Sequence, residues 1–185
     1  MKTVLSRLLA ALALTAMLMP LVMPAQAATL IVDRSELIFT FKQMGVPVDG
    51  KFKRFDAQLN FDAKKPEAGK IAFTVDLGSV SLGDPSFDKE MGGAVWFDTS
   101  RNGKASFVST GIKATGPGKF DVAGKLTLKG AVRDVVVPIT LNAGVAAGSV
   151  PIKRLDFKIG DGEWADTSIV ANDVTVKFKL AFSGL

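Results

Sequence analysis

The side chains that could do chemistry in this chain are carboxylates, hydroxyls and lysine amines, because the sequence contains no Cys, no His and no Tyr. Those absent types supply many of the nucleophiles, acid–base groups and metal ligands of enzymes. One acidic segment stands out, with Asp161, Glu163 and Asp166 close together. Its spacing differs from that of a calcium-binding loop, and no positioned partner for acid–base work accompanies it. The pattern favours a solvated acidic turn, no metal or cofactor, and a binding protein over an enzyme.

The thirteen Phe residues form a stronger pattern. Eleven of them fall in segments typical of β-strands, nearly all at alternate positions, and no charged residue interrupts the apolar side of those segments. A single buried Phe is most simply a core residue, but the whole set predicts a dry interior that suits an aliphatic chain. Seven Phe and one Trp are the predicted ligand contacts: Phe39, Phe41, Phe73, Phe107, Phe120, Phe157, Phe178 and Trp164.

The two Trp residues stand apart from the strand-like segments. Trp96 follows a predicted short helix, and Trp164 lies in the acidic segment before the last strand. Both positions are near strand ends, which form the mouths of a barrel. They predict either a hydrophobic plug over one end or a lip that touches a ligand.

A β-sheet must position these residues. Asp84 followed by Pro85 predicts an N-capped helix over residues 85–91. Pro138 predicts a bulge or an open seam, because it cannot donate to a sheet ladder. Phe52 breaks the alternation of its segment and predicts a bulge near Lys53. Residues 45–50 and 144–149 are predicted turns or loops, and the predicted strands are 37–42, 51–62, 70–77, 105–112, 119–129, 135–141, 155–159 and 174–182.

Eight strands in an antiparallel meander predict an all-β fold. Most of the strands have one apolar and one polar face, so the sheet must stack as a sandwich or close on itself. Closure removes the exposed edges. An eight-stranded antiparallel β-barrel with one short helix is therefore the expected architecture. At that size, side chains can fill the interior or leave room for one small ligand.

The N-terminal segment predicts export. Lys2 and Arg7 precede an apolar stretch, and Ala25-Gln26-Ala27 gives a small-residue cleavage site, so residues 1–27 are the predicted signal peptide. Residues 28–185 then form one domain, with 21 basic and 18 acidic residues. The cations are scattered, which argues against a nucleic-acid partner. The expected location is the periplasm, with cleavage after Ala27.

Three ordered strings resemble the YceI-like family of exported lipid-binding proteins. They are FKQMGVPVDGKF at residues 41–52, GKLTLKG at 124–130 and KRLDFKIGDGEW at 153–164. The resemblance implies a lipocalin-like barrel in the periplasm that holds a polyisoprenoid or a similar amphiphile without catalysis. Relatives of this kind also occur beside membrane b-type cytochromes, so an isoprenoid quinone is an implied ligand class.

Three functional hypotheses follow. The first is a carrier that holds a long-chain isoprenoid or another amphiphilic lipid in the barrel. The second is a barrel filled by its own Phe side chains that docks on a membrane b-type cytochrome. The third is an enzyme that acts on a lipid through carboxylates. The volume of the lumen distinguishes the first hypothesis from the second.

Overall fold

The computed structural model describes residues 28–185, and the predicted signal peptide, residues 1–27, lies outside the described residues. Within 28–185 the α-helix α1 spans Pro85–Met91, and short 3-10 turns connect several of the strands. The β-strands are β1 (Ala28–Leu30), β2 (Glu36–Gln43), β3 (Val46–Phe52), β4 (Phe55–Asn60), β5 (Lys70–Asp76), β6 (Val80–Ser81), β7 (Lys104–Gly116), β8 (Lys119–Leu128), β9 (Ala131–Asn142), β10 (Val145–Lys153) and β11 (Asp173–Ser183).

These strands form a closed, eight-stranded antiparallel barrel, as predicted. β1 and β2 are two halves of one barrel strand, separated by a 3-10 turn at Val32–Arg34. β3 and β4 form the second barrel strand, and β5 with β6 the third. β7 to β11 follow in chain order around the barrel. The barrel closes because β11 pairs with β1 and β2, and β1 also pairs with β4.

Tight two-residue turns fix the register of three hairpins. Met44-Gly45, Lys129-Gly130 and Ala143-Gly144 all have positive φ at both residues. This geometry matches the right-handed twist of the flanking strands, and glycine at the second position adopts it without strain. Because a slip of one residue would turn every side chain to the opposite face, these turns help to keep the Phe residues inside.

The two ends of the barrel are covered differently. At one end, called the helix end here, α1, Trp96, Phe97 and the segment after β10 pack over the strands in one core cluster. At the far end, Phe61 and Phe120 meet edge to face with ring centroids 5.1 Å apart. The helix itself forms as predicted, with the Asp84 carboxylate accepting a hydrogen bond from the Ser86 N–H at 2.8 Å. Residues 28–185 contain no helix that is long and apolar enough to cross a bilayer.

Two predictions about the first hairpin were wrong. Residues 45–50 were expected to be a turn, but the turn is only Met44-Gly45, and β3 begins at Val46. The expected bulge near Lys53 is instead a break between β3 and β4, where the Lys53 N–H donates to the Ser79 carbonyl oxygen. Phe52 therefore belongs to a separate strand segment, which explains why it leaves the alternation of β4.

Two further predictions near the C-terminus were wrong. Residues 144–149 were expected to be a loop, but only Gly144 belongs to a turn, and residues 145–149 begin β10, which pairs with β11 along its whole length. Residues 155–159 were expected to be a strand, but Arg154–Phe157 forms a 3-10 helix. The small residues Ala146, Ala147 and Gly148 conceal the alternation of β10. The total of eight strands was right because one missed strand balanced one false strand.

Candidate ligand-binding cavity

The barrel encloses an apolar cavity of about 230 Å³. It is larger than an apolar cavity of ~150 Å³ that holds benzene, and slightly smaller than the ~300 Å³ at which pockets for drug-sized ligands begin. Most of the residues that line it stand at alternate positions of the barrel strands. The described side chains therefore leave part of the lumen unfilled.

Six of the eight predicted ligand contacts line this cavity, namely Phe39, Phe41, Phe73, Phe107, Phe120 and Phe178. The other two do not. Phe157 is buried among the core residues of the helix end, with the guanidinium of Arg133 at 5.9 Å from its ring centroid. Trp164 packs on Trp96 at the helix end, with ring centroids 5.5 Å apart, and of the two only Trp96 reaches the cavity. Trp164 therefore belongs to the plug and not to the cavity wall.

Three glycines on neighbouring strands lie under three of the Phe rings. A Cβ added to Gly50 would lie 2.2 Å from Phe39 Cζ, and one added to Gly124 would lie 2.4 Å from Phe107 Cζ. The same holds for Gly148 and Phe178, at 2.5 Å. Each ring occupies the space where the side chain of an inward-facing residue would stand. The rings therefore lie against the wall, which leaves the centre of the lumen open.

Arg154 is the buried cation that the alternation of the strands did not predict. It lies 2% exposed at the helix end and contributes to the cavity wall. Burial lowers the pKa of its guanidinium, which still stays protonated at neutral pH. Among the described residues, no carboxylate forms a salt bridge with it. Its five N–H groups donate to main-chain carbonyl oxygens of Ile159 at 2.9 Å, Gly160, Trp164 at 2.6 Å, Val170 at 2.7 Å and Ala171 at 3.1 Å.

Lys129 fastens the same end in a similar way. Its Nζ donates to the carbonyl oxygens of Val95 at 2.8 Å and Lys158 at 2.6 Å. Burial lowers the pKa of this amine. Lys129, in the turn between β8 and β9, thus ties the segments that follow α1 and β10 to the barrel, whereas Arg154 holds together the segment between β10 and β11. The donors of Arg154 are all in use, so it has none free for a ligand head group.

The acidic segment is exposed to solvent. Asp161, Glu163 and Asp166 are all exposed, and among the described residues no group of three or more His, Cys, Asp or Glu is placed to hold a metal ion. Hydrogen bonds from the Ser168 hydroxyl and N–H hold the pKa of the Asp166 carboxyl below its usual value. These bonds stabilise a turn, and they leave the segment far from the geometry of an acid–base pair.

Comparison with known proteins agrees with this architecture. Residues 29–182 match the YceI-like domain. This chain belongs to the YceI-like family. Relatives named UPF0312 protein include one from Ectopseudomonas mendocina, 41% identical over 88 residues that span 48% of this chain and 46% of the relative. Another, from Pseudomonas savastanoi pv. phaseolicola, is 34% identical over 123 residues, or 64% of each chain. The matched region thus spans less than two thirds of these relatives.

Two solved structures resemble the YceI-like barrel described here. BcnA from Burkholderia cenocepacia is 41% identical, with a TM-score of 0.79 over 83% of this chain and 99% of that one. A polyisoprenoid-binding domain from Saccharophagus degradans, implicated in plant cell wall breakdown, has a TM-score of 0.62 over 85% of this chain and 97% of that domain. At 19% identity, the second likeness shows the fold alone.

The functional residues that shape this YceI-like lumen without being aromatic were not predicted from the sequence. Gly50, Gly124 and Gly148 stand at inward positions of strands, where glycine signals that another group approaches the backbone closely. That signal was present in the sequence. Arg154 gave no comparable signal, because its partners are main-chain carbonyls that only the folded loops bring together.

Proposed function

We propose that this protein binds a long-chain apolar lipid, a polyisoprenoid or isoprenoid quinone, in the barrel lumen, and that it does so in the periplasm as a carrier or sequestering protein. The YceI-like fold supports lipid binding. The observation that carries the proposal is the apolar cavity of about 230 Å³ inside a closed barrel. An apolar wall makes no hydrogen bonds to a polar ligand. Each methylene group of an apolar ligand that it buries, in contrast, contributes about 0.8 kcal/mol to the free energy of binding.

The arrangement of the wall indicates how such a ligand lies. The tail runs along the aromatic surface that includes Phe39, Phe107 and Phe178. A polar head group would leave its hydrogen bonds unmade in that interior, at a cost of roughly 2–7 kcal/mol, so it remains in contact with water. The binding role needs no catalytic residue, in agreement with the absence of Cys, His and Tyr from the chain.

The N-terminal sequence supports the periplasmic location. A basic start, an apolar stretch and a small-residue cleavage site together form an export signal. The mature protein is expected to begin at Ala28 and to fractionate with soluble periplasmic contents. Intact-mass measurement of the protein from its own cells tests this directly, and a full-length, membrane-bound chain contradicts it.

Organic extraction of the protein purified from its native compartment tests the ligand. Mass spectrometry of the extract is expected to show a long-chain isoprenoid at close to one molecule per barrel. The emptied protein should then gain thermal stability from isoprenoid quinones or prenyl alcohols, by ligand linkage. Protein that extracts empty and gains no stability from either class overturns the proposal.

The rival hypothesis was a barrel filled by its own side chains that docks on a membrane b-type cytochrome. Its premise is weakened by the cavity, since the Phe rings lie against the wall instead of filling the lumen. No feature of residues 28–185 specifically favours a cytochrome partner. An empty extract, as described above, would make this hypothesis the better one.

A further inference from the structure

The barrel is open along part of the seam between β9 and β10. The two strands pair only from Asn142 with Val145 to Ile139 with Gly148. Beyond that point β9 continues to pair with β8 down to Ala131, and β10 continues to pair with β11 down to Lys153. The two strands therefore separate while each keeps its other neighbour. Pro138 predicted either a bulge or an open seam, and the structure has the open seam.

Two prolines explain why the seam stays open. In an antiparallel sheet, the N–H and C=O of one residue point to the same neighbouring strand. The pairing of β9 with β8 continues through Pro138 without a shift in register. The backbone groups of Pro138 therefore point to the other neighbour, β10. Its carbonyl oxygen indeed lies 2.5 Å from where a Cβ on Gly148 would stand. By the same argument Pro151, which pairs with Thr175, turns its backbone groups toward β9.

Both edges of the seam thus lack a hydrogen-bond donor where the pairing would otherwise continue. If the register of the paired part were extended, Pro138 would face Ser149, and Pro151 would face Val136. Proline removes one ladder bond at each of these places. The two lost hydrogen bonds would be consecutive along the ladder between β9 and β10. Little therefore holds the two strands together beyond this point.

The open part of the seam leads directly into the lumen. Val135 on β9 and Val150 and Ile152 on β10 line the cavity, yet they are only half-buried. Val174 and Val176 on β11 are also half-buried, whereas Phe39, which pairs with Val176 on the next strand, is 5% exposed. Half-buried lumen residues also occur on β5 and β7, and Val137 on β9 is 7% exposed, so the seam is marked by its missing strand pairs and not by a greater exposure of the wall. Outside, Val132 and Val136 give the seam an apolar rim, at 48% and 57% exposed.

One side chain crosses the opening at the helix end. Arg133 Nη2 donates to the carbonyl oxygen of Asp156 at 2.8 Å, and its guanidinium lies over the ring of Phe157. Asp156 and Phe157 belong to the 3-10 helix that follows β10. Arg133 therefore links β9 to the 3-10 helix that follows β10 through one exposed hydrogen bond, which is weak enough to break and re-form readily.

We propose that this seam is a lateral portal through which the apolar tail of the ligand enters and leaves the lumen, with Arg133 as its latch. The inference rests on the proposed lipid-binding function. The tail passes between β9 and β10, over the rim formed by Val132 and Val136, while the head group stays in water. The covered ends of the barrel then need not open during exchange.

Exchange kinetics with a defined probe test the portal. The emptied protein is loaded with radiolabelled geranylgeraniol, and the transfer of the label to excess phosphatidylcholine vesicles is followed with time. Arg133→Ala removes the latch and is expected to release the label several-fold faster than wild type. Pro138→Val with Pro151→Val restores both donors and is expected to release it several-fold more slowly. The matched controls are Arg34→Ala and Pro47→Val, two exposed residues of the same types away from the seam.

The outcomes separate the portal from the binding function. Wild-type protein that takes up no label overturns the binding function itself. Normal uptake with rates unchanged in both seam variants, relative to their controls, overturns the portal alone. Hydrogen exchange of the amides gives a readout without any ligand. Amides of β10 that point to β9 should exchange quickly in wild type and slowly in the double proline variant, and equally slow exchange in both would show that the seam is closed.

Discussion

At the scale of the residue, the width of the lumen depends on the inward positions that are occupied by glycine. Phe39, Phe107 and Phe178 lie over Gly50, Gly124 and Gly148, so each aromatic ring rests on a bare stretch of backbone. Aromatic side chains are known to cover glycines in sheets in this way. An inward side chain at these glycines would force the ring toward the barrel axis. The glycines therefore set the width of the cavity as much as the aromatic residues do.

Gly50→Ala tests this dependence most cleanly. The three nearest contacts of its new Cβ are all atoms of the Phe39 ring, at 2.2 to 2.7 Å, so the ring must move into the lumen. We expect less bound lipid per barrel, with overpacking that costs about 1–3 kcal/mol of stability. Mass spectrometry of the extracted lipid measures the first effect and urea unfolding the second.

Gly111→Ala is the matched control for that experiment. Gly111 is also a strand glycine, and a Cβ there would meet nothing within 4 Å. It should bind as much lipid as wild type. If Gly50→Ala also retains the wild-type amount and chain length, the position of the Phe39 ring does not limit the lumen.

At the scale of the element, the strands with strong alternation were predictable, and the others were not. β2, β5, β8, β9 and β11 carry large apolar residues at most of their alternate positions, and the structure has each of them at the expected place. β10 was missed because its inward residues Ala146 and Gly148 are small, the latter making room for Phe178. The 3-10 helix at Arg154–Phe157 was mistaken for a strand because Leu155, Phe157 and Ile159 alternate.

The mistaken strand at residues 155–159 also explains why Phe157 was misplaced. Phe157 was assigned to the cavity wall because the segment around it was taken as a strand. In the 3-10 helix, its side chain packs instead among the core residues of the helix end. Six of the predicted contacts could be placed on the cavity wall from local alternation alone. The hydrogen bonds of Arg154 depend on loops that meet only after folding, and no local pattern encodes them.

Arg154 should therefore be essential for the segments that cover the helix end. Arg154→Met would leave five carbonyl oxygens without their donor, and each unsatisfied buried group costs about 1–3 kcal/mol. We expect the free energy of unfolding to fall by about 3 kcal/mol or more in urea denaturation. Arg154→Lys should recover only part of this loss, because an ammonium group has at most three donors.

The control for Arg154 is another arginine that makes no such network. Arg34 is exposed, and Arg34→Met should change the stability by about 0.5 kcal/mol or less. If Arg154→Met were as mild as this control, solvent would have to reach the carbonyl oxygens that Arg154 now satisfies. The helix end would then not be the dry plug that the packing of Trp96 and Trp164 indicates.

At the scale of the whole molecule, closure of the sheet and storage of a ligand make opposite demands. A closed barrel buries its edges, but a ligand that enters needs an opening. Here both ends are covered, by the helix and its neighbours at one and by Phe61 with Phe120 at the other. The incomplete seam between β9 and β10 reconciles these demands, because it opens the side of the barrel while both strands remain anchored to their other neighbours.

The covered far end should also set the length of the chain that fits. A barrel strand of about ten residues, tilted by ~40°, gives a lumen on the order of 25 Å long. Phe120→Ala removes one half of the edge-to-face pair at its far end and lengthens the cavity there. We expect the extracted lipids to shift toward longer chains, with a loss of stability of about 3–5 kcal/mol. Phe87→Ala, on the exposed face of α1, is the control and should leave the distribution unchanged. An unchanged distribution in both variants would mean that the bound chain does not reach Phe120, and that this end of the lumen does not set its length.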